Sequence, residues 1–138
     1  MGVTAGAVVL AVVPTTAAAA ESSGVGATAT GRSDVCNTYL CGSGTFTWGT
    51  YSLSGSMSVK DNECNGRKVG IRIVVYHFDG TAEMGTLRVF NGNCESPYQV
   101  WNGLSWSDSK KIQGFRVAGW QEGDDYYHAG NYVDNPLT

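Results

Sequence analysis

The sequence has few charged side chains and no excess of positive charge. Only 15% of its 138 residues are charged, and 9 lysines and arginines stand against 12 acidic residues. A nucleic-acid-binding protein needs a basic surface, so this balance argues against that class. Apolar residues make up 42% and aromatic residues 11%, which excludes a disordered chain. Much of the remainder is Gly, Ser, Thr and Asn, as is typical of β proteins with many turns.

An apolar run long enough to span a membrane is also missing. Residues 5–13 are apolar, but a membrane span needs about 20 such residues. The run has instead the length of the apolar region of a signal peptide. Pro14 follows it, and the alanines at 17–20 suit cleavage, although no Lys or Arg precedes the run. We therefore predict a signal peptide at residues 1–20 and a secreted, extracellular protein.

The next segment has almost nothing to bury. Residues 21–33 contain no aromatic side chain and, apart from Val25, no large apolar one. Such a segment cannot offset its ordering entropy by burial. All 15 aromatic residues lie between Tyr39 and Tyr132. We therefore predict a flexible N-terminal arm at residues 21–35 and one folded domain at residues 36–138. The arm is either a passive leader or a strand that orders on a partner.

Four cysteines are present, an even number that predicts two disulfides in an exported chain. They are Cys36, Cys41, Cys64 and Cys94. Three pairings are possible, and the short spacing favours Cys36–Cys41, which leaves Cys64–Cys94. A zinc site is the alternative, but the spacing is irregular and no His is adjacent. The sequence thus predicts no metal and no cofactor.

Turn signals and alternating patterns predict an all-β fold. Asn-Gly or Asp-Gly pairs end at Gly66, Gly80, Gly92 and Gly103. Between these turns the apolar period is two, and no window has a helical period. We predict five to seven antiparallel strands in a small disulfide-stabilised antiparallel β-sandwich, with a small β-barrel as the alternative.

Three alternating segments define the predicted strands. In residues 51–59 the apolar side chains share one face and serines share the other. Residues 68–78 form a central strand covered on both faces, and residues 85–90 return beside it as a hairpin. In residues 111–121, Phe115 and Val117 point to the side opposite Ile112.

Catalytic or metal-binding patterns are weak. Residues 61–66 resemble half of a calcium loop, but Arg72 occupies the position of the bidentate Glu. A plain turn explains the pattern as well. His77 and Asp79 could form an acid–base pair, and His128 is the other histidine, but a structural His beside a turn Asp is the favoured interpretation. The sequence therefore predicts that the protein is not an enzyme.

Aromatic residues cluster in two stretches near the C-terminal end, 98–106 and 120–132. Some must belong to the core, since each aromatic ring buries a large apolar area. The others predict an exposed surface that binds sugar or protein. The candidate partner-binding residues are Trp101, Trp106, Tyr126 and Tyr127.

Three strings carry a resemblance to a known family: D-N-E-C-N-G-R-K-V-G-I-R-I at 61–73, Asn93-Cys94, and N-Y-V-D-N-P at 131–136. With these strings, residues 36–136 resemble small single-domain β proteins secreted by actinobacteria, and most of all the adaptor subunit of umbrella toxin particles. The resemblance implies a non-enzymatic adaptor in an extracellular antibacterial toxin complex, which bridges a lectin-like subunit and a large toxin scaffold. Its partners would be other secreted proteins, with neither nucleic acid nor membrane among them. The alternatives are a secreted carbohydrate-binding module and a small enzyme inhibitor with residues 38–40 as bait.

Overall fold

The computed structural model describes residues 29–137 as two antiparallel β-sheets packed face to face. The first sheet has the order β1-β2-β3-β7, with strands β1 (Thr30–Cys36), β2 (Leu40–Trp48), β3 (Ser52–Asp61) and β7 (Gln99–Ser107). The second sheet centres on β4 (Val69–His77) and β8 (Ile112–Gln121), with β5 (Ala82–Met84) and β6 (Arg88–Val89) beside β4, and β9 (His128–Ala129) and β10 (Val133–Asp134) beside β8. No helix occurs in the described range. The two sheets do not close into a barrel, so the predicted sandwich is confirmed.

The core lies between the facing sides of the two sheets. Strand β2 buries every second residue, as a half-buried strand should. The rings of Phe46 and Trp48 pack against Phe115 of the opposite sheet, with centroids 5.3 and 5.2 Å apart. At Gly44 a Cβ atom would lie 2.7 Å from Val117 Cγ1. A side chain at that position would therefore push the sheets apart.

Strand β4 is the central strand that the sequence predicts. Its core face includes the fully buried Ile71 and Val75, and on the opposite face Val74 is only 6% exposed. The sequence predicted one return strand beside β4. This prediction is wrong in one respect, because the structure has two short strands there. Strands β5 and β6 both pair with β4, and residues 85–87 between them leave the sheet. The Gly85 N–H donates to Ile73 O at 2.8 Å and keeps the two pieces aligned.

The predicted orientation of Ile112 is also wrong. His77 pairs with Ile112, whereas Tyr76 pairs with Gly114, so Gln113 is an extra residue in β8. Such a bulge changes the side to which the following residues point. Ile112 and Phe115 consequently both lie in the core.

The predicted arm is corrected over residues 30–35. These residues belong to β1, which pairs with β2 from Thr30 to Cys36. The segment is ordered by backbone pairing and by the burial of Ser33 and Val35, which compensate for its lack of large side chains. Residues 21–28, like the predicted signal peptide at 1–20, lie outside the described residues.

The sequence predicted a turn at Asn102-Gly103, which lies inside strand β7, and this prediction is wrong. The segment is a nine-residue strand that pairs with β3. Gly103 has a φ of 66°, but it serves a bulge, because residues 102 and 103 both lie opposite Ser56. A turn and a bulge of this kind require the same left-handed glycine.

Two disulfides fix the ends of the strands. Cys36–Cys41 joins β1 to β2, and Cys64–Cys94 joins the segments that precede β4 and β7. This is the pairing favoured from the spacing. Disulfides of this kind fit an oxidising, extracellular environment.

Among residues 29–137 we find no helix of the length and apolarity that crossing a membrane requires.

Candidate functional site

The free side of β7 is an open sheet edge. The strand ends its sheet and has β3 as its only strand neighbour. Among the described residues, no backbone hydrogen bond joins the free side of residues 99–107 to another segment. A row of unpaired N–H and C=O groups is a template for the strand of another chain.

The sequence of β7 does little to protect this edge. The strand, QVWNGLSWS, contains no charged residue and no Pro, although these are the usual protections of an exposed edge. Val100 is 52% exposed on the outer face. Trp101, Leu104 and Trp106 are half-buried and pack against the margin of the core. The bulge at Asn102-Gly103 is the only such protective feature of this strand.

A groove runs along the inner side of β7. It has a volume of about 230 Å³. Strands β5 and β6 are only three and two residues long, so they leave the core uncovered next to β7. The groove is lined by Phe46, Met57, Ile73, Met84, Gly85, Thr86, Arg88, Leu104, Ser105 and Trp106.

A buried pair of side chains anchors the C-terminal end of β7. His77, at the end of β4, is 1% exposed, and the Asp108 side chain is 5% exposed. The His77 Nε2 atom lies 2.5 Å from Asp108 Oδ2. The same oxygen accepts a hydrogen bond from Trp106 Nε1 at 3.1 Å. The pair therefore ties the edge strand to the opposite sheet.

The other side of the His77 ring continues this network. His77 Nδ1 lies 3.0 Å from Thr81 Oγ1. Thr81 donates its single hydroxyl hydrogen to Asp79, and Lys110 Nζ donates to Thr81. The sequence hypothesis of a direct His77–Asp79 pair is thus wrong: Thr81 stands between them.

Three pKa shifts follow from this network. The Thr81 hydroxyl and Lys110 hold the pKa of Asp79 well below its usual range. Asp79 in turn raises the pKa of Lys110. Burial acts to raise the pKa of Asp108, but hydrogen bonds from His77, the Lys110 N–H and Trp106 outweigh it and lower that pKa.

This network supports a structural role better than a chemical one. His77, Glu83 and Asp108 place three potential metal-ligand atoms within 4.8 Å of one another. However, Asp108 Oδ2 already accepts hydrogen bonds from His77 and Trp106. A cation would have to displace both of them. Sequence reasoning missed Asp108 because it lies 31 residues from His77 and no motif links the two.

The four predicted partner-binding residues do not form one patch. Trp101 and Trp106 lie on β7. Tyr126 and Tyr127 lie between β8 and β9, at the second sheet. Tyr126 is 59% exposed, and the Tyr127 ring lies under the guanidinium of Arg72, 4.8 Å from its carbon.

Two other sequence hypotheses find no support in the local geometry. In the half calcium loop, Asp61 Oδ1 accepts the Glu63 N–H and Asn65 Oδ1 accepts the Arg67 N–H, as in ordinary turns. In the bait segment, Leu40 is fully buried. Tyr39 packs against His128, with ring centroids 5.8 Å apart. Residues 38–40 therefore do not project as an inhibitory loop.

Comparisons with protein-family models, curated proteins and solved structures found no match to this chain.

Proposed function

We propose that this chain is a secreted, non-enzymatic interaction module that binds an extended segment of a partner protein along β7. The observation that carries this proposal is the nine-residue edge with no backbone partner on its free side. In strand addition, main-chain hydrogen bonds supply affinity and pockets for alternate side chains supply specificity. The groove beside β7 provides such a pocket.

The resemblance to toxin-particle adaptors supplies the class of partner. An adaptor that bridges a lectin-like subunit and a large toxin scaffold needs two separate surfaces. The four candidate aromatic residues lie at two separate places on the protein, which suits this requirement. One surface is the β7 edge with Trp101 and Trp106, and the other is the exposed Tyr126 with Tyr127 on the second sheet.

The test blocks the edge without disturbing the core. Val100 and Ser105 are exposed on β7, and a V100K/S105K variant places two charges where a partner strand would lie. The matched control is S54K on β3, an exposed serine directly opposite Ser105 but one strand away from the edge. Tagged proteins are recovered from culture supernatant after chemical cross-linking.

We expect the wild-type protein and S54K to retain a partner whose cross-links map to residues 99–107. V100K/S105K should retain less than about a tenth of it, because lysines on an edge strand oppose pairing with another strand. Retention of the same partner by V100K/S105K, or recovery of this chain alone, would contradict the proposal.

A carbohydrate-binding module is the second candidate, and it rests on the exposed ring of Tyr126 beside His128, 5.1 Å between centroids. Aromatic rings of this kind stack on sugars. Pull-down on insoluble polysaccharides tests it, with Y126A as the variant and Y51A, another exposed tyrosine, as the control. Equal binding by both variants, or no binding by the wild type, would remove this candidate.

A further inference from the structure

Arg88 is the one charged residue that lines the groove beside β7. Its Nε atom is buried without a hydrogen-bond partner. No described carboxylate forms an ion pair with Arg88. Arg88 is half-buried, and a partly desolvated guanidinium without a counter-charge is costly. The arrangement becomes favourable when an anion enters the groove.

The surroundings of Arg88 define what kind of anion fits. Its neighbours in the groove include the apolar side chains of Met57, Ile73, Leu104 and Trp106, and the groove contains no acidic residue. A strongly hydrated inorganic ion would lose its water against this apolar lining. A carboxylate carried by a chain with apolar neighbours would instead match both parts of the groove.

We propose that the groove receives an acidic side chain of the partner strand that adds to β7. This inference rests on the proposed function and extends it to the partner's sequence. Successive side chains of a strand alternate between its two faces. Every second residue of the added strand therefore faces the groove. The partner segment carries one Asp or Glu opposite Arg88, with apolar residues two positions away on either side.

The charge and the geometry of Arg88 both contribute. A guanidinium can hold a carboxylate through two parallel hydrogen bonds, and such bonds are stronger between charged groups than between neutral ones. The added strand would also exclude water from the groove. The low dielectric would then strengthen the pair.

The test selects peptides from a random displayed library on the wild-type protein and on three variants. R88Q removes the charge, and R88K keeps the charge but not the fork geometry. R116Q is the matched control, because Arg116 is also a half-buried arginine of the second sheet whose Nε lacks a partner. Its guanidinium lies over the rings of Tyr76 and Tyr132 and does not line the groove. Thermal unfolding verifies that each variant is folded.

We expect the wild type and R116Q to select peptides with one acidic residue between apolar residues at alternate positions. R88Q should lose that acidic preference and bind the selected peptides about tenfold or more weakly. R88K should fall between the two. Amide exchange of residues 99–107 should slow when the peptide binds.

Two negative outcomes are distinct. Peptides that protect residues 99–107 but show no acidic preference would overturn the role of Arg88 and leave the edge proposal intact. Failure to select any peptide that protects residues 99–107 would overturn both proposals. If R88Q fails to fold, an unchanged acidic preference in R88K with equal affinity would still contradict the bidentate contact.

Discussion

The first sheet has two edges, β1 and β7, and they differ in what covers them. Along β1, Asn131 acts almost as an added strand: its Oδ1 atom accepts the Asp34 N–H at 2.7 Å and its backbone N–H donates to Asp34 O at 3.3 Å. Ser33 adds a bond from its hydroxyl to Asn131 O at 2.6 Å. Along β7 no segment of residues 29–137 makes equivalent bonds. One edge is covered at its middle within the chain, whereas no described segment covers the free side of the other.

The difference shows that β7, apart from its pairing with β3, is fixed beyond its C-terminal end and not along its free side. The last residues of β7 lead to Asp108, whose carboxylate is fixed by His77 of the opposite sheet. The closed edge is instead held at its middle, where Asn131 of the C-terminal segment bonds to residues 32–34. Changes at these two attachments should therefore differ in their effect on the free energy of unfolding.

The largest effect is expected from Asp108→Ala, which removes the anchor of β7. The change leaves buried N–H groups of His77 and Trp106 without an acceptor. Leaving one such donor unsatisfied costs about 1–3 kcal/mol, and here two donors lose the same acceptor. Urea denaturation measures the loss of unfolding free energy. Asp125→Ala, at an exposed position, is the control and should stay within about 0.5 kcal/mol. A similar small change for Asp108→Ala would show that the pair does not anchor β7.

Acid should weaken the same anchor. The pKa of Asp108 is lowered from its ordinary value of 3.8, so the folded state favours the ionised form. This contribution is fully present above that ordinary value and is lost as the pH falls through the lowered pKa of the folded state. Stability curves between pH 2 and pH 6 should therefore fall less steeply at the acid end for Asp108→Asn than for the wild type. Parallel curves would contradict the assignment.

A smaller loss is expected at the closed edge from Ser33→Ala. The Ser33 hydroxyl is buried and accepts the Val117 N–H at 3.0 Å, so its removal leaves that donor unsatisfied. Such a loss costs about 1–3 kcal/mol. Ser43→Ala, which breaks a half-buried hydroxyl pair with Ser58, is the control and should cost less. Equal losses for the two variants would mean that the contact to the second sheet contributes little.

The smallest effect on folding is expected from V100K/S105K at the open edge. Both side chains are exposed and form no described hydrogen bond, so the unfolding free energy should change by less than about 0.5 kcal/mol. Hydrogen exchange should also show less protection for the amides of β7 than for those of β1. Uniform protection of both strands would remove the distinction between the two edges.

The sandwich could be predicted well because apolar and polar residues alternate strongly in its strands. In β4 and β3 the buried side chains follow the predicted faces, since each strand interior obeys the period of two. The two disulfide pairs also followed from spacing. The bulge in β8 did not follow from the sequence, because no residue around Gln113 indicates an extra position in the strand. At Asn102-Gly103 the sequence does indicate a left-handed glycine, but such a glycine is required by a turn and by a bulge alike.

The candidate site was predicted only in part. Trp101 and Trp106 were identified as contact residues, but the strand that carries them was missed, because a turn was predicted at Asn102-Gly103 in its middle. The open edge itself is a property of the sheet order, which local patterns do not encode. The partner of His77 was missed because Asp108 meets it only after the two sheets pack. The charge of Arg88 is visible in the sequence, whereas its apolar surroundings are not.

The bond between Ser33 and Asn131 joins residues that are 98 positions apart. Contacts of such separation form late, because the chain must close a long loop before they contribute. A chain that emerges from its N-terminal end thus presents β1 well before its covering segment exists. During that interval both edges of the first sheet are exposed, and a molecule can pair with another copy of itself. The order in which the chain becomes available, and not only its final structure, then decides how long this edge stays uncovered.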